Sequence, residues 1–353
     1  MALPPTVTPT LGRRSFLIGS LLGAAALGLS ACGDDAPTGR LGADAALPTT
    51  VDPRTELAIS IRTTQIQLQT SGQLDKLPFH VKEWINLGAG PDIIQGFRAR
   101  SIDLANNAGV PPIQARAINY DAKIVAVQTV NKPIYTFAAV GGSNVNTLAD
   151  LKGKRIGFSQ GQAQGVVVLR TLKELGLSNK DVTLVPLTSN QFLTALQGKQ
   201  IDVAPLWEPV LTKYLTEYGK DGAKAIPMNA VDYLSVLWAP TAVLQDPAKA
   251  AAVRSFIPFW VNGTVWAWEN KDAWVDAYYV KDQQVPKEAG DRIVGVNPKP
   301  AFPRSWDKAI AWEQETADLL HAGGFIPQVK ATDLFDRRFE GIAAEAAPES
   351  YRE

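Results

Sequence analysis

The sequence predicts an α/β protein of two similar lobes, each a mixed, mainly parallel sheet flanked by helices. The first observation is an internal repeat, because residues 93–105 and 192–204 share an apolar helical pattern followed by Ile-Asp-apolar-Ala. The second is the alternation of strand-like and helix-like segments around each copy, which is typical of parallel sheets. The third is length, since about 320 residues beyond an N-terminal leader usually divide into two lobes.

The first copy begins with predicted strands at residues 57–62 and 79–87. Ile93, Ile94 and Phe97 follow at helical spacing, and the run from residue 102 to 105 suits a strand covered on both faces. These segments predict a first small sheet.

The second copy has clearer start and stop signals for its helices and strands. Residues 154–158 read as a strand, residues 162–175 as a helix that Gly176 ends, and residues 181–187 as the next strand. Ser189 is a plausible cap for a helix to Gln197, and a strand follows at 201–206. Two βαβαβ halves are therefore predicted, with ligands expected at the carboxyl ends of their strands and a cleft between the lobes.

The last third of the chain is predicted to be mostly helical and to pack back onto the first lobe. The candidate helices are residues 246–268, 273–279, 306–322 and 331–344. Tryptophans 260, 266, 268, 274, 306 and 312 could form an aromatic ligand box, but most stand at helical spacings in apolar company, which favours a core position.

The N-terminus is typical of an export signal. Arg13-Arg14-Ser15-Phe16-Leu17 precedes an apolar, glycine-interrupted run and is similar to a bacterial twin-arginine signal. An uncleaved membrane anchor is the alternative, but the uncharged stretch is shorter than the roughly 20 apolar residues that a spanning helix needs.

Leu29-Ser30-Ala31-Cys32 resembles a bacterial lipobox, in which the cysteine receives a diacylglycerol and becomes the new N-terminus. A buried free cysteine is the alternative, but small residues before Cys32 and polar residues after it favour lipidation. We therefore expect residues 1–31 to be an export signal and residues 32–53 a lipidated flexible linker, with the body anchored on the outer face of the cytoplasmic membrane or in the cell envelope.

Composition limits the function classes. Loss of residues 1–31 reduces 35 basic residues to 33 against 35 acidic ones, a formal charge of −2, which gives no support for nucleic-acid binding. Two histidines and one cysteine, none of them clustered, predict no transition-metal site, and no cofactor motif is present. A polar cleft without acid–base machinery favours binding over reaction.

The predicted strand ends carry mostly neutral hydrogen-bonding side chains. The candidate ligand-binding residues are Arg62, Thr63, Thr64, Gln65, Asn106, Asn107, Ser159, Gln160, Gly161, Gln162, Gln164, Asn190, Trp207 and Glu208.

The interpretation of three groups of these residues needs further argument. Residues 159–164 open a helix, where free backbone N–H groups bind anionic oxygens, although an ordinary serine-capped loop would look the same. Arg62 would either reach the cleft and pair with an anion or stay on the surface. Asn106 and Asn107 end a buried strand, so their amides need partners that a solute could provide.

Gly157-Phe158-Ser159-Gln160-Gly161 also matches the nucleophile elbow of α/β-hydrolases, which makes a secreted serine hydrolase the enzymatic alternative. The triad would need His80 or His321, and no His-Gly-Gly-Gly motif precedes the serine. The sequence therefore favours a protein that is not an enzyme.

The signal, Thr147–Gly153, Lys154–Gly157, Leu175-Gly176-Leu177 and Trp207-Glu208-Pro209 together resemble the substrate-binding proteins of bacterial ABC importers, in the sulfonate, taurine and nitrate group. The resemblance implies a periplasmic-binding-protein type II clamshell that delivers its solute to a permease with a partner ATPase. It also implies pocket loops at the strand ends named above. We expect residues 54–139 and 238–345 to form lobe 1 and residues 140–237 lobe 2, with hinges near residues 138–142 and 237–240.

Arg62 favours an anionic, sulfonate-like solute, whereas Trp207, Glu208 and the amides would suit a neutral or larger aromatic one. The family often has Gly-Asp or Gly-Ser at positions 106 and 107, and small Ser or Thr residues in the loop at 160–164. A structural or adhesive surface lipoprotein is a third class, which would need no polar cleft.

Overall fold

The computed structural model describes residues 39–88 and 90–353. The export signal and Cys32 lie outside these residues. The described strands are β1 (Glu56–Ser60), β2 (His80–Trp84), β3 (Leu104–Ala108), β4 (Ala122–Thr129), β5 (Tyr135–Ala139), β6 (Arg155–Phe158), β7 (Thr183–Pro186), β8 (Val203–Trp207), β9 (Lys224–Pro227) and β10 (Leu234–Pro240).

These strands form two five-stranded sheets with the same plan. Sheet 1 has the order β2-β1-β3-β10-β4 and sheet 2 the order β7-β6-β8-β5-β9. In sheet 1, β1 is parallel to β2 and β3, while β10 runs antiparallel between β3 and β4. In sheet 2, β6 is parallel to β7 and β8, while β5 runs antiparallel between β8 and β9. The predicted α/β class with two mixed sheets is confirmed.

Helices flank both sheets. They are α1 (Arg62–Thr70), α2 (Gly90–Arg98), α3 (Val110–Ala117), α4 (Ala163–Glu174), α5 (Ser189–Gln197), α6 (Val210–Tyr218), α7 (Thr241–Leu244), α8 (Pro247–Glu269), α9 (Lys271–Trp274), α10 (Lys287–Val296), α11 (Asp307–Ala322) and α12 (Ile342–Ala346). The repeat predicted from sequence is present as α2–β3 and α5–β8, and each pair follows a parallel strand.

Local chemistry sets the limits of the helices that border the cleft. Gly176 adopts a φ of +68° after α4, a left-handed conformation that costs glycine little. The cap of α5 is Thr188 rather than Ser189, because Thr188 and Gln191 form a reciprocal capping box. Asp246 caps α8 by accepting from the backbone N–H groups of Ala248 and Lys249.

The C-terminal third differs from the prediction in three places. The segment 331–344 is not one helix but two short 3₁₀ turns and α12, because side chains such as Asp336 bond to nearby backbone instead. Helix α9 continues as a π-helical segment, Val275–Asp282, and α10 was not predicted. Trp260, Trp274 and Trp306 are buried and the other three named tryptophans pack against the core clusters, so the core interpretation is confirmed.

The chain crosses between the sheets twice, between β4 and β5 at residues 130–134 and between β9 and β10 at residues 228–233. The predicted hinge positions overlap strands, because Ala138 lies inside β5 and residues 237–240 lie inside β10. Antiparallel partners fix both strands to their own sheets. We propose that the division into lobes falls at these crossings, a few residues before the limits expected from sequence.

The segment before β1 is held against the body from residue 41 onward. The backbone N–H of Leu41 donates to Gln245 O at 2.8 Å, and Arg338 Nη1 donates to Gly42 O at 3.1 Å. Leu47 and Val51 pack against the main core. The expectation of a flexible linker is wrong for this part, because apolar side chains and backbone bonds fix it.

Candidate functional site

The carboxyl ends of the parallel strands of the two sheets face each other across a cleft. Gln114 Nε2, on α3, donates to Gln160 O, in the loop after β6, at 3.1 Å. A Cβ added at Gly90 would lie 3.0 Å from Gly161 O, and one added at Gly88 would lie 3.4 Å from the Asn190 amide. These contacts join the loops after β2 and β3 in sheet 1 to the loops after β6 and β7 in sheet 2.

Gln162 ties the start of α4 to the start of α5. Its Oε1 accepts from Ser159 Oγ at 2.6 Å and from the backbone N–H of Ser189 at 2.9 Å. Its Nε2 donates to Ser189 Oγ at 2.9 Å. Both Ser159 and Gln162 are buried, so these two predicted ligand residues shape the loop through bonds to protein.

The hydrolase elbow lacks its histidine. Ser159 Oγ is engaged by Gln162, while His321 Nδ1 lies 3.0 Å from Ile326 O. His80 begins β2, at the opposite edge of the sheet from the cleft. The geometry gives Ser159 no general base.

Arg62 is the first residue of α1 rather than the last of a strand. Its Nε donates to Asp282 Oδ1 at 2.9 Å and its Nη1 to Gln65 Oε1 at 3.0 Å. Asp282 therefore neutralises the guanidinium that was expected to meet a solute anion. Thr64 is buried and Thr63 is half-buried in the same turn.

Asn106 and Asn107 lie inside β3, and protein groups supply part of what a solute was expected to supply. Asn106 Nδ2 donates to Val236 O at 3.0 Å, and Asn107 Oδ1 accepts from Trp238 Nε1 at 2.8 Å. Both partners belong to β10, the antiparallel neighbour that the sequence analysis did not place beside β3. For the atoms named, the partners that these amides need are protein groups.

Trp207 and Glu208 end β8. Glu208 Oε1 accepts from Arg292 Nη2 at 2.9 Å across the cleft, and its Oε2 accepts from Thr212 Oγ1 at 2.7 Å. Trp207 is 43% exposed and belongs to none of the core clusters of the described chain. An uncovered indole at a strand end offers an apolar surface to the cleft.

The remaining predicted residues differ in their surroundings. Gln160 is exposed and its Nε2 donates to Phe325 O at 2.6 Å, while the ring of Phe325 lies 4.7 Å from that of Phe158. Gln164 is buried in the first turn of α4, and Asn190 is exposed beside Gly88. Gly88 and Gly90 at the cleft edge were missed, although two glycines between a predicted strand and helix were a usable signal.

Three helices that begin at the cleft have no side-chain cap. No side chain bonds to the N-terminal N–H groups of α1, α3 or α4, whereas α5 and α8 are capped. Prolines 111 and 112 remove donors from α3. The N-terminal N–H groups of α1 and α4, one helix from each sheet, are thus the stronger candidates for binding an anion.

Two buried carboxyl groups lie near the crossing between the sheets. Burial raises the pKa of Asp232 to about 7 and that of Glu313 to about 8.

Within residues 39–88 and 90–353, no group of three or more His, Cys, Asp or Glu side chains is placed to hold a metal ion. None of the helices in these ranges is long and apolar enough to span a membrane.

Sequence and structure comparisons place this chain among known proteins. A family model described as NMT1/THI5 like matches residues 99–272, which run from before β3 into α9. This match spans 174 of the chain's 353 residues, just under half. A protein named as an aliphatic sulfonates-binding protein in Escherichia coli K12 is 30% identical over 143 residues, or 39% of this chain and 45% of that one. A Bacillus subtilis protein of the same name is 24% identical over 266 residues, 74% of this chain and 78% of that one.

Solved structures of other proteins share the fold of this chain. The alkanesulfonate-binding protein SsuA from Xanthomonas axonopodis pv. citri, bound to MOPS, matches with a TM-score of 0.69 at 20% identity, over 86% of this chain and 100% of that one. The desulfurization enzyme DSZB matches with a TM-score of 0.54 at 16% identity, over 83% of this chain and 99% of that one. This chain therefore has the periplasmic-binding-protein fold predicted from its sequence, a fold that binding proteins and at least one enzyme share.

Proposed function

We propose that this protein is an extracytoplasmic solute-binding component of an ABC importer that captures a small organic anion of the sulfonate class. Its sulfonate-binding relatives and the fold it shares with SsuA support the class of function. A binding protein needs no catalytic base, in agreement with the surroundings of Ser159.

The observation that carries the anion is the pair of uncapped helix starts, α1 on sheet 1 and α4 on sheet 2. Backbone N–H groups at a helix start carry partial positive charge and bind oxyanions without a charged side chain. Since the cations at the cleft, Arg62 and Arg292, are already paired with Asp282 and Glu208, backbone donors are the groups left to hold the solute.

Capture couples to closure of the two sheets. A solute that contacts both helix starts stabilises the arrangement in which the loops after β3 and β6 touch, so binding shifts the population toward the closed form. The permease would then recognise the closed form. The crossings at residues 130–134 and 228–233 would absorb the motion.

The location follows from the N-terminal sequence. Export through Arg13 and Arg14 and a lipid on Cys32 would hold the body at the outer face of the cytoplasmic membrane, next to the permease. Metabolic labelling with a radioactive fatty acid tests this, because the wild type should carry the label and Cys32→Ser should lose it.

A thermal-shift screen of residues 33–353 tests the solute class. Alkyl and aryl sulfonates, taurine, sulfate, nitrate and neutral aromatics are compared, since a ligand at 100 times its Kd adds roughly 2.7 kcal/mol. We expect sulfonates to raise the Tm and neutral aromatics to leave it unchanged. No shift with any sulfonate, together with ester hydrolysis that Ser159→Ala abolishes, would refute the proposal in favour of an enzyme.

A further inference from the structure

A cluster of buried ionisable side chains lies where α11 meets both sheets. Helix α11 contacts α3, which begins at the cleft edge of sheet 1, and α4, which begins at the cleft edge of sheet 2. Arg170 of α4, Asp232 of the 228–233 crossing and Glu313 of α11 belong to this cluster. None of them was singled out from the sequence.

Arg170 joins sheet 2 to α11. Its Nη2 donates to Thr316 Oγ1 at 2.8 Å, and its guanidinium lies 3.9 Å from the centre of the Trp312 ring. The Trp312 ring in turn lies 5.2 Å from that of Tyr233, the neighbour of Asp232 in the crossing. Any movement of α4 away from α11 therefore breaks these contacts.

Glu313 is 1% exposed, and its Oε2 has no hydrogen-bond partner. It packs against the start of α3 so closely that a Cβ added at Gly109 would lie 1.5 Å from Oε1. Asp232 is 8% exposed. Arg170 Nε also lacks a hydrogen-bond partner, so Arg170 donates no hydrogen bond from that atom to either carboxyl group.

We propose that Asp232 and Glu313 form a proton-binding pair whose occupancy is linked to closure of the cleft. Separation of α4 from α11 would admit water to the cluster. Water stabilises the charged carboxylates, so the open form would release the protons that the closed form holds.

The charged groups around the pair do not reverse the direction in which burial shifts the two pKa values. Arg170 and Glu174 face the cluster from α4, Glu315 from α11, and Tyr135 from β5. Arg116 of α3 is engaged elsewhere, in an ion pair with Asp333 at 3.1 Å. Burial is the largest cause of the raised pKa of both carboxyl groups and Arg170 opposes it, so burial decides the direction.

The sign for solute affinity follows from linkage. If the pKa values fall from about 7 and about 8 toward ordinary values on opening, closure takes up protons, and affinity is greatest at low pH. Affinity then falls as pH rises from the ordinary carboxyl pKa of about 4 and levels off above about pH 8. We expect the Kd at about pH 8 to be at least about fivefold weaker than at about pH 6.

Calorimetry with benzenesulfonate as the probe tests the link, which in this form rests on the proposed function. Titrations at about pH 7 in imidazole and in Tris avoid sulfonate buffers and reveal proton exchange from their different ionisation heats. We expect a net uptake of about one proton per solute. Benzenesulfonate binding with no proton exchange would overturn the pair and leave the proposed function standing.

Variants locate the protons. Glu313→Gln and Asp232→Asn place a neutral amide where the protonated acid lies, so each should reduce the proton uptake and flatten the pH dependence of the Kd. Asp318→Asn changes an exposed carboxylate on the same helix and should leave both unchanged. Undiminished uptake in both cluster variants would place the protons elsewhere and refute the assignment.

A measurement without solute separates the two ideas. Small-angle scattering of the free protein at about pH 6 and about pH 8.5 should show expansion at high pH for the wild type and none for the Asp232→Asn/Glu313→Gln double variant. Expansion together with no sulfonate binding would support the proton pair and reject the proposed solute. Identical profiles for the wild type at both pH values would count against the pair.

Discussion

At the scale of single residues, many of the polar side chains at the cleft bond to other protein groups. Gln162 bonds to Ser159 and to both the backbone and the side chain of Ser189, so it positions the free N–H groups of α4. Arg62 and Glu208 are each paired with an opposite charge. The residue types predicted polar side chains at these positions. They did not predict which of these side chains bond to other protein groups.

We expect Gln162→Ala to lower the free energy of unfolding by about 1–3 kcal/mol, because buried Ser159 Oγ loses its acceptor. Chemical denaturation followed by circular dichroism measures the change. Gln197→Ala, at the exposed end of α5, should stay within about 0.5 kcal/mol of the wild type. Equal losses in the two variants would remove the special role of Gln162.

Trp207 is the residue at which we expect the organic part of the solute to be selected. Trp207→Ala should weaken benzenesulfonate binding by about tenfold, since aromatic pairs contribute about 0.5–1.5 kcal/mol beyond the buried area. Ethanesulfonate, which has no ring, should bind with little change. Titration calorimetry of both ligands, with Trp207→Phe as the conservative control, decides this, and equal losses for the two ligands would contradict it.

The two asparagines of β3 show where prediction from sequence reached its limit. Their position at a buried strand end was predicted, and so was the need of their amides for hydrogen-bond partners. Their partners come from β10, more than a hundred residues later in the chain. Hydrophobic periodicity indicates that a segment is a strand but does not say which distant strand lies beside it.

At the scale of elements, the segments with strong periodicity and clear stop signals were predicted well. Helix α4 and strands β6 and β8 lie within one or two residues of the predicted limits. The two antiparallel strands, β5 and β10, were taken for hinge regions, because no local signal distinguishes a short apolar strand from a crossing. Helix α10 was missed for a similar reason, since its apolar positions are few.

Helix α10 makes an ion pair across the cleft, Arg292 with Glu208 at 2.9 Å. Arg292→Ala should weaken solute binding by about two- to fivefold, because an exposed pair contributes about 0.2–1 kcal/mol to the form that contains it. The Tm of the free protein should change little. Lys287→Ala is the matched control, since Lys287 pairs with Asp291 inside the same helix. A loss of affinity of the same size in the control would contradict a role for the pair in closure.

At the scale of the whole molecule, the sequence repeat predicted two sheets of the same plan, and the structure contains them. The cleft was predicted because both sheets must present their carboxyl edges to each other. The third participant, α11, was predicted as a helix, but its position against both α3 and α4 depends on tertiary packing that a single sequence does not reveal.

Covalent closure of the cleft should trap the solute. Cys32 is the only cysteine of the chain, so residues 33–353 with Gln114→Cys and Gln160→Cys carry just the two introduced thiols. A short bismaleimide should join them, because their parent residues are hydrogen-bonded across the cleft. We expect solute release to slow by at least about tenfold after crosslinking, measured by stopped-flow dilution. Gln114→Cys alone, treated in the same way, should release at the wild-type rate, and an unchanged rate in the crosslinked protein would contradict motion at this contact.

The place of β10 has a consequence for synthesis. In sheet 1, β4 is an edge strand whose neighbour is β10, and its side chains are nearly all buried in the finished protein. A chain emerging from the ribosome makes β4 at residues 122–129 but does not reach β10 until Leu234. Through that interval an apolar strand lacks its neighbour, so we expect sheet 1 to be completed only after every strand of sheet 2 has been made.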